Sequence, residues 1–386
     1  MKNRNFPGRS GRYIKQIEGY KAFIPKSLPP QNPELEIDDE LQACLSKADI
    51  SLGRLDGAIQ TLPGTDLFVY MYVRKEAVLS SQIEGTQSSL SNLLKREAQV
   101  LDPDAPKDVS EVINYVGAMN LGLSLLDGLP VSTRLIREVH QRLLKNVRGQ
   151  EQNPGQFRKS QNWIGPAGCQ IREATFVPPS PADMITAISD WERFLHESDS
   201  LPLLVKLGLA HAQFETIHPF LDGNGRVGRL LITLLLYEKK VLLKPVLYLS
   251  YYFKQNRQEY YDLLQRTRDS GDWESWIKFF VKGVDEVSRQ ATQTAREIVD
   301  LRERHRMLIV DNFGQVAGNG LKVLEYLFKN PIISVKLIMD LTGVTFAAAN
   351  QLMHRFEEIG VLYEITGHAR NRRYEYSDYV NLFASM

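Results

Sequence analysis

The chain has 386 residues and a mass of 44.0 kDa, enough for two or three domains of about 150 residues and for a well-buried core. Its 47 Lys and Arg balance 46 Asp and Glu for a formal net charge of +1, which excludes a wholesale polyanion binder and an acidic disordered chain but leaves room for a local basic patch. Two cysteines, Cys44 and Cys169, cannot supply a disulfide framework or a structural zinc site by themselves. A reducing cytoplasm is the economical location. The basic start, Met1 to Lys15, has no apolar core of the secretory kind. The longest strongly apolar run, 230–237, is far too short to span a bilayer, so no membrane partner is expected.

The first 35 residues carry Pro7, Gly8, Gly11, Pro25, Pro29, Pro30 and Pro33 and read as an extended, wrapping arm. From Ile37 the pattern turns helical, with Leu41, Cys44, Leu45, Ala48 and Leu52 on one stripe. A second helix is predicted from Leu67 to Glu84, with Gly85 as its C-terminal glycine. Helical spacing continues over 88–100, 108–127, 132–146 and 181–197. Ser180, Pro181 and Asp183 supply an N-cap, a first-turn proline and an acidic first turn. In the first 280 residues one stretch reads as extended, Asn162–Val177, a short hairpin turning at 165–168.

The densest chemistry lies in His218-Pro219-Phe220-Leu221-Asp222-Gly223-Asn224-Gly225-Arg226-Val227-Gly228-Arg229. Leu203–Ile217 is a helix that Pro219 ends at His218, and Arg226–Tyr237 is a buried apolar helix. The Gly-Asn-Gly run therefore sits at a helix N-terminus, where unpaired N–H groups and the dipole favour an anion. Arg226 and Arg229 add fixed positive charge, Asp222 a hard oxygen for Mg²⁺, and His218 a group that accepts a proton near neutral pH. Each feature alone is commonly structural; their combination at one junction is a far stronger signal.

Downstream, 285–313 reads as a long charged helix broken by Gly314, Gly318, Asn319 and Gly320. Residues 320–386 read as a winged helix-turn-helix: Leu321–Phe328, then Ser334–Leu341 and Thr345–Ile359 around the turn Thr342-Gly343-Val344, with a wing from Val361–Thr366 and Arg372–Tyr376. Asn350, Gln351, His354, Arg355, Arg370, Arg372 and Arg373 are placed to meet DNA. Yet 316–386 holds seven Lys and Arg against seven Asp and Glu, without the charge footprint of a DNA binder. DNA binding and a protein-docking or packing role stand level. The expected units are an arm and helical segment over 1–105, a central domain over 106–285, a long helix and linker over 286–318, and the winged helix over 319–386.

The string His218–Arg229 resembles the signature of Fic-domain proteins, His-Pro-Phe-x-Asp/Glu-Gly-Asn-Gly-Arg-x-x-Arg, at every fixed position. The resemblance covers roughly residues 60–285 and implies a mainly α fold: a Fic-fold helical core with a small β-hairpin flap, beside the C-terminal winged helix. It implies adenylylation, the transfer of AMP from ATP to a Ser, Thr or Tyr hydroxyl of a target protein, with Mg²⁺ or Mn²⁺. His218 is then the general base and Asp222 the metal ligand. Asp222, Gly223, Asn224, Gly225, Arg226, Val227, Gly228 and Arg229 line the ATP site, with Phe220 as the loop's core anchor and Tyr260 near the adenine. Doc-type kinases share the loop but usually depart from Gly-Asn-Gly, so the intact run favours AMP transfer. Gly155-Gln156-Phe157-Arg158, 161–165 and 176–179 are similar to the family's flap region, with Thr175 and Phe176 as contacts for a target docked by strand addition. Ser80-Ser81-Gln82-Ile83-Glu84-Gly85 resembles the family's inhibitory motif. Ser80 and Glu84 share a helical face. An acid at that helix end costs about 0.3–1 kcal/mol unless paired, and Arg229 is the expected partner. The resemblance leaves room for self-modification, removal of AMP by the same glutamate, and a homodimer. A nucleotide-sensing DNA-binding regulator and transfer of a different phosphate-containing group are the alternatives.

Overall fold

Three- and four-residue apolar spacing dominates the chain, and helices follow it. The computed structural model describes residues 5–60, 65–100, 102–197 and 201–384. The arm is more ordered than its Pro and Gly content suggests. Strands β1 (Gly11–Lys15) and β2 (Lys21–Pro25) form an antiparallel hairpin with Tyr13 opposite Phe23. The signal is five residues per strand, too short to outweigh the turn-forming residues around it. Arg9 straps the arm down: its guanidinium donates to both carboxylate oxygens of Glu274 at 2.8 and 2.9 Å and to the carbonyls of Gly271, Pro33 and Glu34.

Helix α1 (Asp39–Gln60) buries Leu41, Leu45, Ala48, Leu52, Leu55 and Ile59, as its stripe predicts. Next come α2 (Thr65–Ile83), α3 (Leu90–Glu97), α4 (Val109–Leu125) and α5 (Thr133–Leu143). Then α6 (Pro181–His196) starts at Ser180, whose hydroxyl accepts from the Asp183 N–H at 3.3 Å. Helix α7 (Leu203–Ile217) runs into the loop, and α8 (Asn224–Glu238) leaves it. Beyond Arg229, helix α8 is mostly apolar all round because it is enclosed: Leu230, Leu234 and Leu236 are fully buried. Short α9 (Ser250–Gln255) and α10 (Arg257–Ser270) precede α11 (Trp273–Phe313).

Helix α11 has 41 residues and begins at Trp273, twelve residues before the charged pattern becomes visible. Its first turns carry the buried Trp273, Trp276, Phe279 and Phe280, whose density hides the helical period. Gly283 lies where a Cβ would collide with the Tyr252 ring, so the close approach of α9 requires glycine there. The expected boundaries near 285 and 318 fall inside α11 and α12 (Ala317–Leu327).

The stretch 162–177 differs from a regular hairpin. It holds a single antiparallel bridge, Ile164 with Phe176, and a 3₁₀ turn at Ile171–Glu173. Pro166, Pro178 and Pro179 lack the N–H a ladder needs. Side chains serve its backbone instead, as when Trp163 Nε1 donates to the Cys169 carbonyl at 3.1 Å.

Beyond α12 come β3 (Ile332–Ile333), α13 (Val335–Thr342), α14 (Phe346–Glu358), β4 (Tyr363–Glu364), β5 (Tyr374–Glu375) and α15 (Ser377–Ala384). Ser334 and Thr345 cap α13 and α14, and the strands pair in the order β3-β5-β4. This is consistent with the winged helix-turn-helix read from the sequence. Strand β3 was not expected. The unit packs back on the rest of the chain, with the Phe383 ring edge-on to Tyr72 of α2 at 5.2 Å.

Candidate active site

The loop between α7 and α8 is shaped by its own residues first. His218 ends α7 in the left-handed conformation (φ 49°, ψ 61°), with its N–H donating to Phe214 O at 3.0 Å. Pro219 then prevents the helix from continuing. Phe220 is fully buried as the anchor. The Asn224 side chain clasps it twice: Nδ2 donates to Phe220 O at 2.8 Å and Oδ1 accepts the Phe220 N–H at 2.9 Å. Asn224 thus offers an anion its backbone rather than its side chain. Gly223, at φ 76°, is the N-cap of α8 and provides no side-chain cap, so the first-turn N–H groups are left for a ligand.

A second layer turns the loop's carbonyls outward. Arg158 donates from Nε to His218 O at 3.0 Å and from its backbone N–H to Pro219 O at 2.9 Å. Asn162 Nδ2 donates to Phe220 O at 2.7 Å. His140 Nε2 meets Asp222 O at 2.9 Å. With these carbonyls occupied from behind, the peptide dipoles present their N–H ends to the cradle. Burial, followed by the charges of Arg158 and Arg268, lowers the His218 pKa well below the ordinary histidine value, so the imidazole is held neutral. Neutral is the form in which it can take a proton.

The cations are anchored. Arg226 is buried, donates to Glu111 at 2.9 Å and lies 3.8 Å from Asp222 Oδ1. Its Nε is buried without a partner among the described residues. Arg229 donates from Nε to Ser80 Oγ at 2.9 Å, and from its terminal nitrogen to Ser80 O at 3.0 Å and to Glu84 Oε1 at 2.6 Å. For Glu84, burial raises the carboxyl pKa, but the charge and hydrogen bond of Arg229, together with the Arg226 charge, outweigh it and the net shift is downward. A Cβ on Gly225 would collide with the Glu84 carboxylate, so the glutamate lies directly against the cradle. Asp222 accepts the Gly223 N–H at 2.6 Å and has a half-exposed carboxylate with its other oxygen against Gly149. Its carboxylate, half-exposed at the uncapped start of α8, is a hard oxygen donor that fits a cation arriving with a polyphosphate.

Not every expected residue faces the cradle. The Val227 side chain is fully buried, and Gly228 makes room for Glu215. Tyr260 is buried in the aromatic core, with its hydroxyl engaged by His211 Nε2 at 2.9 Å. Its neighbour Tyr261 is 39% exposed, and both rings feel the charges of Glu84 and Arg229. Phe176 turns its ring inward, 6.0 Å from Phe23 and 3.9 Å beneath the Arg268 guanidinium. Only Thr175 of the flap pair is exposed. Sequence reasoning also missed His140 and Glu111, which come from distant segments with no local motif to flag them, Glu215, one turn before the loop, and the bond by which Asn162 of the flap region holds the loop.

A histidine at a helix end, an acid in the loop and two arginines on an uncapped helix form a junction chemically suited to an anion such as phosphate. Residues 42–124 match the family model "Fic/DOC family N-terminal", and residues 130–236 match "Fic/DOC family". The chain belongs to the Fic/DOC family. It is 30% identical over 202 residues to Protein adenylyltransferase Fic of Drosophila grimshawi, covering 51% of this chain and 38% of that relative. It is 28% identical over 246 residues to the protein of the same name from Drosophila yakuba, covering 62% and 45%. The chain therefore spans less than half the length of these curated relatives. The crystal structure of a Fic family protein from Desulfovibrio desulfuricans G20 superposes with a TM-score of 0.60 at 18% identity, over 89% of this chain and 97% of that one. The likeness shows the fold: a mainly α Fic architecture with few small strands.

Proposed function

We propose that this chain is a protein adenylyltransferase that transfers AMP from ATP to a hydroxyl of a protein and is restrained by its own Glu84. The observation that carries the reading is the uncapped start of α8, flanked by the neutral His218 and the open Asp222 carboxylate. The phosphates of ATP bind the first-turn N–H groups, with Arg226 and Arg229 supplying charge. Mg²⁺ or Mn²⁺, held by Asp222, would neutralise phosphate charge. His218 accepts the proton of the incoming hydroxyl. The freed oxygen bonds to the α-phosphorus as the bond to the pyrophosphate oxygen breaks, and pyrophosphate leaves.

Arg229 is the point of restraint. Its Nε and one terminal nitrogen are committed to Ser80 and Glu84, so a γ-phosphate seeking that nitrogen must compete with a carboxylate already in place. Losing one charge-assisted hydrogen bond costs about 1.5–3 kcal/mol, roughly 10- to 150-fold in binding or rate. Glu84→Gly is expected to raise AMP transfer by that order. His218→Ala is expected to lower it by about 10²–10⁴-fold, the usual worth of a general base. Mass spectrometry of lysate proteins after incubation with Mg-ATP checks both; unchanged adduct levels in His218→Ala would remove His218 from the reaction.

The C-terminal unit supports a packing or protein-docking role over DNA readout. Two of the expected DNA contacts are spent within the chain: Arg355 donates to Phe313 O at 2.8 Å and Arg373 to Ala98 O at 3.4 Å. His354 sits 3.2 Å from Glu357.

A further inference from the structure

His140 lies on α5, about eighty residues before the loop, and no motif includes it. It is fully buried, yet three features tie it to the loop rather than to its own helix. Its ring stacks on Phe220 with centroids 3.7 Å apart and planes 5° from parallel. Its Nδ1 accepts the Gly155 N–H at 2.8 Å, which leaves the ring hydrogen on Nε2. That Nε2–H then points at Asp222 O, 2.9 Å away. The same ring lies against Gly223, where an added Cβ would stand 3.5 Å from Nε2. One imidazole thus fixes the buried anchor, the peptide that carries the Asp222 carboxylate and the glycine that starts α8.

We propose that His140 is a positioning residue: the Gly155 amide sets its tautomer, and its Nε2–H holds the Asp222 peptide so that the carboxylate faces the cation arriving with the nucleotide. This rests on the proposed reaction for what Asp222 holds. Groups that orient a metal-ligating side chain from behind usually matter about 10- to 100-fold in metal affinity or activity.

Two near-isosteres separate the two bonds. A glutamine amide nitrogen reaches the Nε2 position and can still donate to Asp222 O, but it cannot accept from Gly155. An asparagine oxygen reaches the Nδ1 position and accepts from Gly155, but it cannot reach Asp222. His140→Gln and His140→Asn are made in the Glu84→Gly background for turnover and in the Glu84→Gly, His218→Ala background for calorimetric binding of Mn-ATP, with melting temperatures for all. The expected result is about 10- to 100-fold weaker Mn-ATP binding and lower kcat for His140→Asn. His140→Gln is expected to stay within about threefold of its parent, whichever variant melts lower. Equal losses that follow the melting temperatures, or no change in Mn-ATP binding, would overturn the positioning role. If the binding difference appears while the parent transfers no AMP, the positioning stands and the adenylyl-transfer reading fails.

Discussion

The sharpest electrostatic conflict in the site is between two carboxylates and one guanidinium. Glu84 holds Arg229 at 2.6 Å, and the buried Glu215 lies close enough to be affected by both. Burial pushes the Glu215 carboxyl up to about 7, against an ordinary value near 4.5. The folded state therefore binds this proton more tightly than the unfolded chain does. Its contribution to stability is full below about pH 4.5 and declines as pH rises to about 7. Glu215→Gln removes that decline. Thermal melts from pH 5 to 8 should show the wild type losing stability relative to Glu215→Gln as pH rises, and parallel curves would refute the assignment. The motif residues of the loop were legible because their chemistry is local. The burial of Tyr260 and the exposure of Tyr261 were not separable by pattern, since one step along α10 turns a ring from the core towards solvent.

At the scale of elements, the amphipathic helices before α9 were readable to within a few residues, and the N-cap Ser180 was found where the sequence placed it. The failures have a common cause: structure fixed by distant partners. The β1–β2 hairpin is held by the Phe23 N–H donating to Val177 O at 2.9 Å and by Arg9 reaching Glu274, contacts between segments far apart in the chain. The arm's hold can be measured. Arg9 and Glu274 are both buried, so Arg9→Ala strands a carboxylate in the interior and is expected to cost about 3–5 kcal/mol in denaturant unfolding. A loss below 1 kcal/mol would mean the strap contributes little.

For the whole molecule, α11 joins the loop-bearing core to the C-terminal unit without a break, and α15 returns to touch α2, the helix whose end carries Ser80 and Glu84. The sequence pattern suggests two units but not this return contact, because nothing local marks Phe383 as a partner of Tyr72. Phe383→Ala is expected to cost about 3–5 kcal/mol if the contact is part of one cooperative core. A separate, lower melting step for the C-terminal unit, with an unchanged main transition, would show instead that the two unfold independently. The zero net charge of 316–386 further predicts no salt-dependent binding to random DNA. A gel shift that weakens steeply between low and moderate salt would contradict it.

The most direct test of adenylyl transfer at this loop compares ATP labelled in the α-phosphate with ATP labelled in the γ-phosphate, using Glu84→Gly with and without His218→Ala. Label from the α-phosphate alone should become protein-bound in Glu84→Gly and disappear with His218→Ala. Label from the γ-phosphate on protein, or α-label that persists without His218, would contradict the assigned reaction.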